Sequence, residues 1–266
     1  MIPKRLSSRE NPKIQRIMKL SSSVKERWTL GRYLVEGPKF VGDLLKRGGP
    51  IEALYVSEDQ LDSTYSLLQK EALSASFDFF VLPEVVFRRV SDAVTSQGVI
   101  AEVNFDKGKV GVEPTWINWL ALNGVQDPGN LGTLVRSAVA VGGIGLILDE
   151  ASADPFSPKA VRASAGLVSE IYIVRVRKLS GVLEKLKQNG YAIYGICRDG
   201  DRPYYDLDFR RSFVSVLGAE GQGIDADLTG IFDFKALIPT SEIVESINVS
   251  IAGSLVIFES SRKKHL

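Results

Sequence analysis

Apolar positions along this chain follow two spacings. One is the three-to-four-residue repeat of amphipathic helices; the other is the short apolar run of a buried strand. Residues 1–30 are polar, basic and helical in spacing. Asn11-Pro12 suits a helix start, and Ile14, Ile17, Met18 and Leu20 form one apolar stripe. Next come a strand at Tyr33–Val35, a helix over Pro38–Arg47 closed by Gly48-Gly49, a strand at Ile51–Val56 and a helix over Gln60–Leu73. A strand at Phe77–Leu82, a helix start at Pro83–Val90 and a strand at Gly98–Val103 complete a small α/β unit. Asn104–Pro114 has hinge residues and no sustained periodicity, which predicts a linker.

Beyond the linker the pattern is strand, helix, strand. Strands are predicted at Leu120–Asn123, Ile144–Leu148, Ile171–Val174, Tyr191–Ile196, Phe213–Leu217 and Lys235–Ile238. Helices are predicted at Leu131–Val141, Pro158–Ala165, Val182–Asn189 and Ile247–Lys263. Such alternation predicts a mostly parallel sheet covered by helices, with ligands at the carboxyl ends of its strands. The expected division is 1–104, a linker at 105–115, and 116–266.

Composition narrows the chemistry. Hydrophobic residues make up 44% of the 266, enough for a buried core. The longest apolar runs are too short to span a bilayer, and no apolar signal core follows the N-terminal basic residues, so neither a membrane nor secretion is expected. The cytoplasm is the expected compartment, with an organelle matrix as the alternative. One Cys (Cys197) and one His (His265) exclude an internal disulfide, a structural zinc site and a Ser-His-Asp hydrolase. No metal is expected, and Cys197 reads as a core residue. Net charge is only +1, but residues 1–47 hold twelve Lys/Arg against four Asp/Glu, a local balance of +8. That asymmetry fits an RNA-facing arm, and equally a solvated helix face.

Three stretches carry chemistry. Asn123–Arg136 is a strand end, a Gly/Pro/Asn turn and a helix whose first turns hold Asn130, Gly132 and Arg136. A helix N-terminus and a guanidinium on the same face favour phosphate; a capped helix with a surface Arg is the plainer alternative. Leu217–Ile224 is a Gly-rich loop after a strand. Its glycines at 218, 221 and 223 match neither a Walker loop nor GxGxxG, which disfavours an NTPase and a dinucleotide dehydrogenase. It suits a backbone cradle for a flat ligand, with Glu220 as a polar anchor. Ile238-Pro239, followed by Glu245–Ser250, runs from a strand end into a helix that Ser246 is placed to cap.

Together and in this order, the three resemble the motifs of the SpoU (TrmH-like) family of RNA ribose 2′-O-methyltransferases. Asp154–Gly166 resembles the family's middle region; Ser8–Pro12 and Leu34–Pro38 resemble its L30e-like N-terminal substrate-binding domain. The resemblance implies an α/β fold with a trefoil-knotted SPOUT domain after a smaller L30e-like domain. It implies S-adenosylmethionine held by Leu217, Gly218, Ile238 and Ile247, and catalysis by Asn130, Arg136, Glu220, Ser246 and Asn248. It further implies a homodimer and an RNA partner, ribosomal rather than transfer RNA, contacted by Arg5, Arg9, Lys13, Arg16 and Arg162. Thr240, Glu242 and Ala219 depart from residues common in relatives and bear on the fine geometry beside the cofactor. The alternatives are a transfer-RNA ribose 2′-O-methyltransferase and a catalytically silent RNA-binding ribosome-assembly factor with the same fold.

Overall fold

A computed structural model of the chain describes residues 3–64, 66, 77–93, 95–105 and 117–264. Most of the helix expected over Gln60–Leu73, nearly all of the expected linker, and His265 lie outside them. The contacts divide the chain into two compact units. One comprises 1–107 and 154–169; the other comprises 108–153 and 170–266.

The first unit is a five-stranded sheet ordered β1-β4-β3-β5-β2, from β1 (Lys4–Arg5), β2 (Arg32–Glu36), β3 (Ile51–Ser57), β4 (Asp78–Leu82) and β5 (Val99–Asn104). β1, β4 and β3 pair in parallel, whereas β5 is antiparallel to both β3 and β2. The helix Pro12–Ser22 starts where Asn11-Pro12 predicts, with Asn11 Oδ1 accepting from Lys13 N at 2.9 Å. Ile14, Ile17 and Leu20 are buried, but Met18 is 40% exposed. At about 100° per residue Met18 falls outside the arc that those three define, so it leaves the expected stripe.

The segment 154–169 packs within this first unit although its sequence lies inside the second. Asp154 Oδ2 accepts from Arg27 Nε at 2.6 Å, and Asp154 Oδ1 accepts from Trp28 Nε1 at 3.0 Å. Phe156 stacks on Phe105 with centroids 3.9 Å apart and also meets Tyr33 and Trp28. A buried guanidinium needs a buried carboxylate, and here the partner comes from 127 residues away in the chain.

The second unit is a seven-stranded, wholly parallel sheet ordered β10-β12-β9-β11-β6-β7-β8. Its strands are β6 (Asn118–Asn123), β7 (Ile144–Leu148), β8 (Ile173–Arg175), β9 (Ala192–Ile196), β10 (Arg202–Pro203), β11 (Phe213–Gly218) and β12 (Phe234–Leu237). β1 and β10 are too short to show a period and went unpredicted. Trp119, Ala121, Val214 and Val216 face a core closed by Leu179, Leu183 and Leu186 of the helix Leu179–Gln188. On the opposite face the helices Pro128–Val141 and Val249–Lys264 pack closely. A Cβ on Gly253 would lie 2.4 Å from Leu134 Cδ2 and 3.4 and 3.5 Å from Leu120 and Leu217. Covering both faces makes these strands almost continuously apolar, which is why they were legible as runs.

Candidate active site

The site is built at the carboxyl ends of the second unit's parallel strands. β6 ends at Asn123 and the chain turns at Gly124, with φ +69°. Asp127 then caps the next helix, its Oδ1 accepting from the amides of Gly129 (2.6 Å) and Asn130 (3.0 Å). This cap starts the helix at Pro128, three residues before the expected Leu131, and places Asn130 in its first turn. Arg136 lies further along the same helix. It is exposed, and its guanidinium has no hydrogen-bond or ion-pair partner among the described residues.

β11 ends in the Gly-rich loop. A Cβ on Gly218 would sit 2.1 Å from the backbone of Gly223, because the loop folds back on itself through Gly223 N donating to Ala219 O at 3.0 Å. Only glycine fits at position 218, and the fold-back presents Glu220 at the loop's tip.

Three motif residues meet. Asn130 Nδ2 donates to Glu220 Oε1 at 2.7 Å, and Asn248 Nδ2 donates to Asn130 Oδ1 at 3.0 Å and to Glu220 Oε1 at 3.1 Å. The triangle draws one polar side chain from each of three distant stretches. Asn248 is also the helix cap. Its Oδ1 accepts from Ser250 N (2.8 Å) and Ser250 Oγ (2.6 Å), and its carbonyl accepts from Ala252 N. The cap expected at Ser246 is therefore at Asn248. Ser246 is exposed and outside the triangle.

The cofactor candidates occupy neighbouring strand ends. Pairing aligns Leu217 with Ile196 and Ile196 with Ala236, so β11, β9 and β12 end in a row. Leu217 is buried, Gly218 ends β11, and Ile238 and Ile247 are half-buried just beyond β12 and before the last helix. Cys197 is half-buried after β9, and burial pushes its thiol up to about 12, so it stays protonated.

A second cluster at these strand ends escaped the sequence reading. Asn123 Nδ2 donates to Asp149 Oδ2 and Asp225 Oδ2, both at 2.9 Å; Asp149 also accepts from Gly124 N and from Ser152. Asp149 stands just past the end of β7, and that position was the available signal for it, whereas Asp225 lies beyond the Gly-rich loop, just before the turn Ala226–Ile231.

The RNA candidates lie in the first unit, most of them ion-paired. Arg5 pairs with Glu58 (2.6 Å), Lys13 with Asp78 (2.9 Å), Arg16 with Glu102 (2.9 Å) and Arg162 with Asp92 (2.9 Å), while Arg9 is exposed. Glu102 is fully buried and also receives Arg32 and the Tyr55 hydroxyl. Much of the N-terminal positive charge is thus met by acidic side chains of the same unit.

The pattern of the SpoU rRNA Methylase family matches residues 118–258. The chain belongs to this family. Residues 11–101 match the MRM3-like substrate binding domain, so the SpoU domain is preceded by a substrate-binding domain. The chain is 30% identical over 256 residues to the 23S rRNA (guanosine(2553)-2′-O)-methyltransferase RlmP of Bacillus subtilis, covering 96% of this chain and 98% of that protein. It shares the fold of the SpoU methyltransferase AviRb from Streptomyces viridochromogenes, solved with AdoMet (TM-score 0.83, 23% identity, 96% and 99% of the two chains). An AdoMet-bound rRNA methyltransferase from Sinorhizobium meliloti is similar at 26% identity, with a TM-score of 0.79 and 97% of each chain. This SpoU protein is an RNA methyltransferase, and S-adenosylmethionine is the cofactor of its family.

Proposed function

We propose that this SpoU methyltransferase transfers the methyl group of S-adenosylmethionine to a ribose 2′-oxygen, with large-subunit ribosomal RNA as its substrate. The observation that carries this reading is the Asn130–Glu220–Asn248 triangle, together with Arg136, which has no partner among the described residues, on the helix that holds Asn130 in its first turn. A silent assembly factor has no need to hold these groups together. The Bacillus relative, aligned over almost its whole length, supports ribosomal over transfer RNA.

The cofactor brings a methyl group on a positively charged sulfur; the ribose oxygen forms the new C–O bond as the C–S bond breaks, and S-adenosylhomocysteine leaves. In this reading the strand ends at Leu217 and Gly218, with Ile238 and Ile247, hold the cofactor. The fold-back at Gly218 supports that assignment by leaving a loop edge lined with backbone, suited to a flat base. Glu220, fixed by two carboxamides, and exposed Ser246 contact the polar parts of the reactants. The Arg136 guanidinium offers a planar fork of hydrogen-bond donors and no acceptor, which suits a phosphate. It therefore holds an RNA phosphate and does not act as a base. That phosphate accepts a hydrogen bond from the 2′-hydroxyl and polarises it, and the proton passes to solvent as the C–O bond forms.

A trefoil knot and a homodimer belong to the same reading. Support for the knot is the close passage of the chain at Gly200, where an added Cβ would lie 2.3 and 2.4 Å from the backbone of Ala236 and Leu237. Support for the dimer is the stripe of Ile251, Leu255 and Phe258 on the last helix, exposed by 55, 37 and 54% at helical spacing. RNA contact by the first unit falls to Arg9 and to those paired cations whose partners a phosphate displaces.

The test is transfer from labelled S-adenosylmethionine to unmodified large-subunit ribosomal RNA and to bulk transfer RNA. Label recovered in an alkali-resistant dinucleotide from ribosomal RNA is the expected result. Label only in transfer RNA overturns the substrate, and label in neither overturns the enzymatic reading.

A further inference from the structure

Asn123 is nine-tenths buried at the end of β6, and every polar position of its side chain is used. One Nδ2 hydrogen goes to Asp149 Oδ2 and the other to Asp225 Oδ2, each at 2.9 Å. Its Oδ1 accepts from Asp225 N at 2.7 Å. The two carboxylates belong to different loops. Asp149 holds the first-motif turn, since Gly124 N donates to both its oxygens (2.9 and 3.1 Å), and Ser152 fills the rest of its capacity. Asp225 closes the second-motif loop that β11 opens.

Asp225 is also diverted from an ordinary local role. It stands immediately before the 3₁₀ turn Ala226–Ile231, where an Asp normally caps with its side chain, yet its side chain makes no capping bond there. The carboxylate goes to Asn123 instead. The two loops abut as well: a Cβ on Gly124 would lie 3.5 Å from Ala219 Cβ.

We infer that Asn123, Asp149 and Asp225 are positioning residues that tie the first-motif turn to the second-motif loop and so hold Glu220 against Asn130. The inference rests on the methyl-transfer reading of the site. The loop carrying Glu220 is fastened at its start by β11 pairing to β6 up to Gly218–Asn123, and at its end by Asp225 to that same Asn123. One residue therefore anchors both ends of the loop. A displacement of about 1 Å in such a support costs on the order of 100-fold in rate when the supported group touches the reactants.

The test compares wild type, D225A, D225N and N123D in the full-length protein. Readouts are KM for S-adenosylmethionine against kcat, thermal stability, and amide exchange across 219–225 without ligand. Asp225 is exposed, so D225A is expected to melt with wild type while its loop exchanges faster and kcat/KM falls about 10- to 100-fold. D225N keeps an oxygen acceptor and is expected to recover most of that loss. N123D places a third carboxylate between two others and is expected to lose both loop protection and activity. Wild-type exchange and kinetics in D225A overturn the inference, and so do equal losses in D225A and D225N. If wild-type protein itself transfers no methyl group, the methyltransfer reading falls and loop exchange in D225A alone decides the tie.

Discussion

Arg136 and Asn248 illustrate two kinds of proposed site residue. Arg136 is exposed and has no partner among the described residues, so Arg136→Ala removes no internal bond there. It is expected to leave thermal stability unchanged and to lower methyl transfer by about 100-fold or more, the usual cost of deleting one group that stabilises a transition state. Asn248 does two jobs at once, capping the last helix with Oδ1 and tying Asn130 to Glu220 with Nδ2. Asn248→Ala is expected to cost about 1 kcal/mol of stability together with activity. Asn248→Ser retains a capping oxygen but no amide, so it is expected to melt near wild type with the activity loss of the alanine variant. Thermal melts paired with methyl-transfer rates separate the two jobs.

Elements meet at two glycines that periodicity cannot interpret. Gly253 lies in the last helix, where glycine is intrinsically unfavourable, and its reason is the approach of Leu134 across the helix pair. Gly253→Ala is expected to destabilise by about 1–3 kcal/mol through overpacking, read by denaturant unfolding. Gly218 is stricter, since the obstacle is backbone rather than a movable side-chain end. Gly218→Ala is expected to abolish measurable S-adenosylmethionine binding in calorimetry. Retained binding would show that the loop tolerates a different fold-back. Most elements were legible from their patterns, with ends shifted by one to three residues. One of the larger shifts traces to local chemistry, where Asp127 takes over the start of a helix expected at Leu131.

Across the molecule, long-range ion pairs decide which stretches belong together. Arg27 is 2% exposed, and its charge is met by Asp154 and by the carbonyls of Leu20 and Ser21. Asp154→Ala leaves a buried guanidinium without its counter-charge and is expected to destabilise the first unit by about 3–5 kcal/mol. Limited proteolysis within 3–105 would register that loss, and wild-type resistance would argue that the carbonyls suffice. The proposed dimer makes a separate prediction at this scale. Phe258→Asp places a charge on the exposed stripe and is expected to convert a dimer to a monomer in light scattering, with secondary structure unchanged.

Hydrophobic runs and turn residues determined the two α/β sheets, the parallel character of the second, and the three motifs at its strand ends. These are local properties, set by side-chain period and backbone preference within a dozen residues. Only the tertiary structure decided which polar groups meet. Nothing near Asn130 in the chain names Glu220 and Asn248 as its partners, nor Asp149 and Asp225 as those of Asn123. The basic N-terminus shows the same limit, because its cations read as free until Asp78, Glu58 and Glu102 arrive from other strands and turns. A charge or an amide is defined by its partner, and a partner dozens of residues away is chosen by packing.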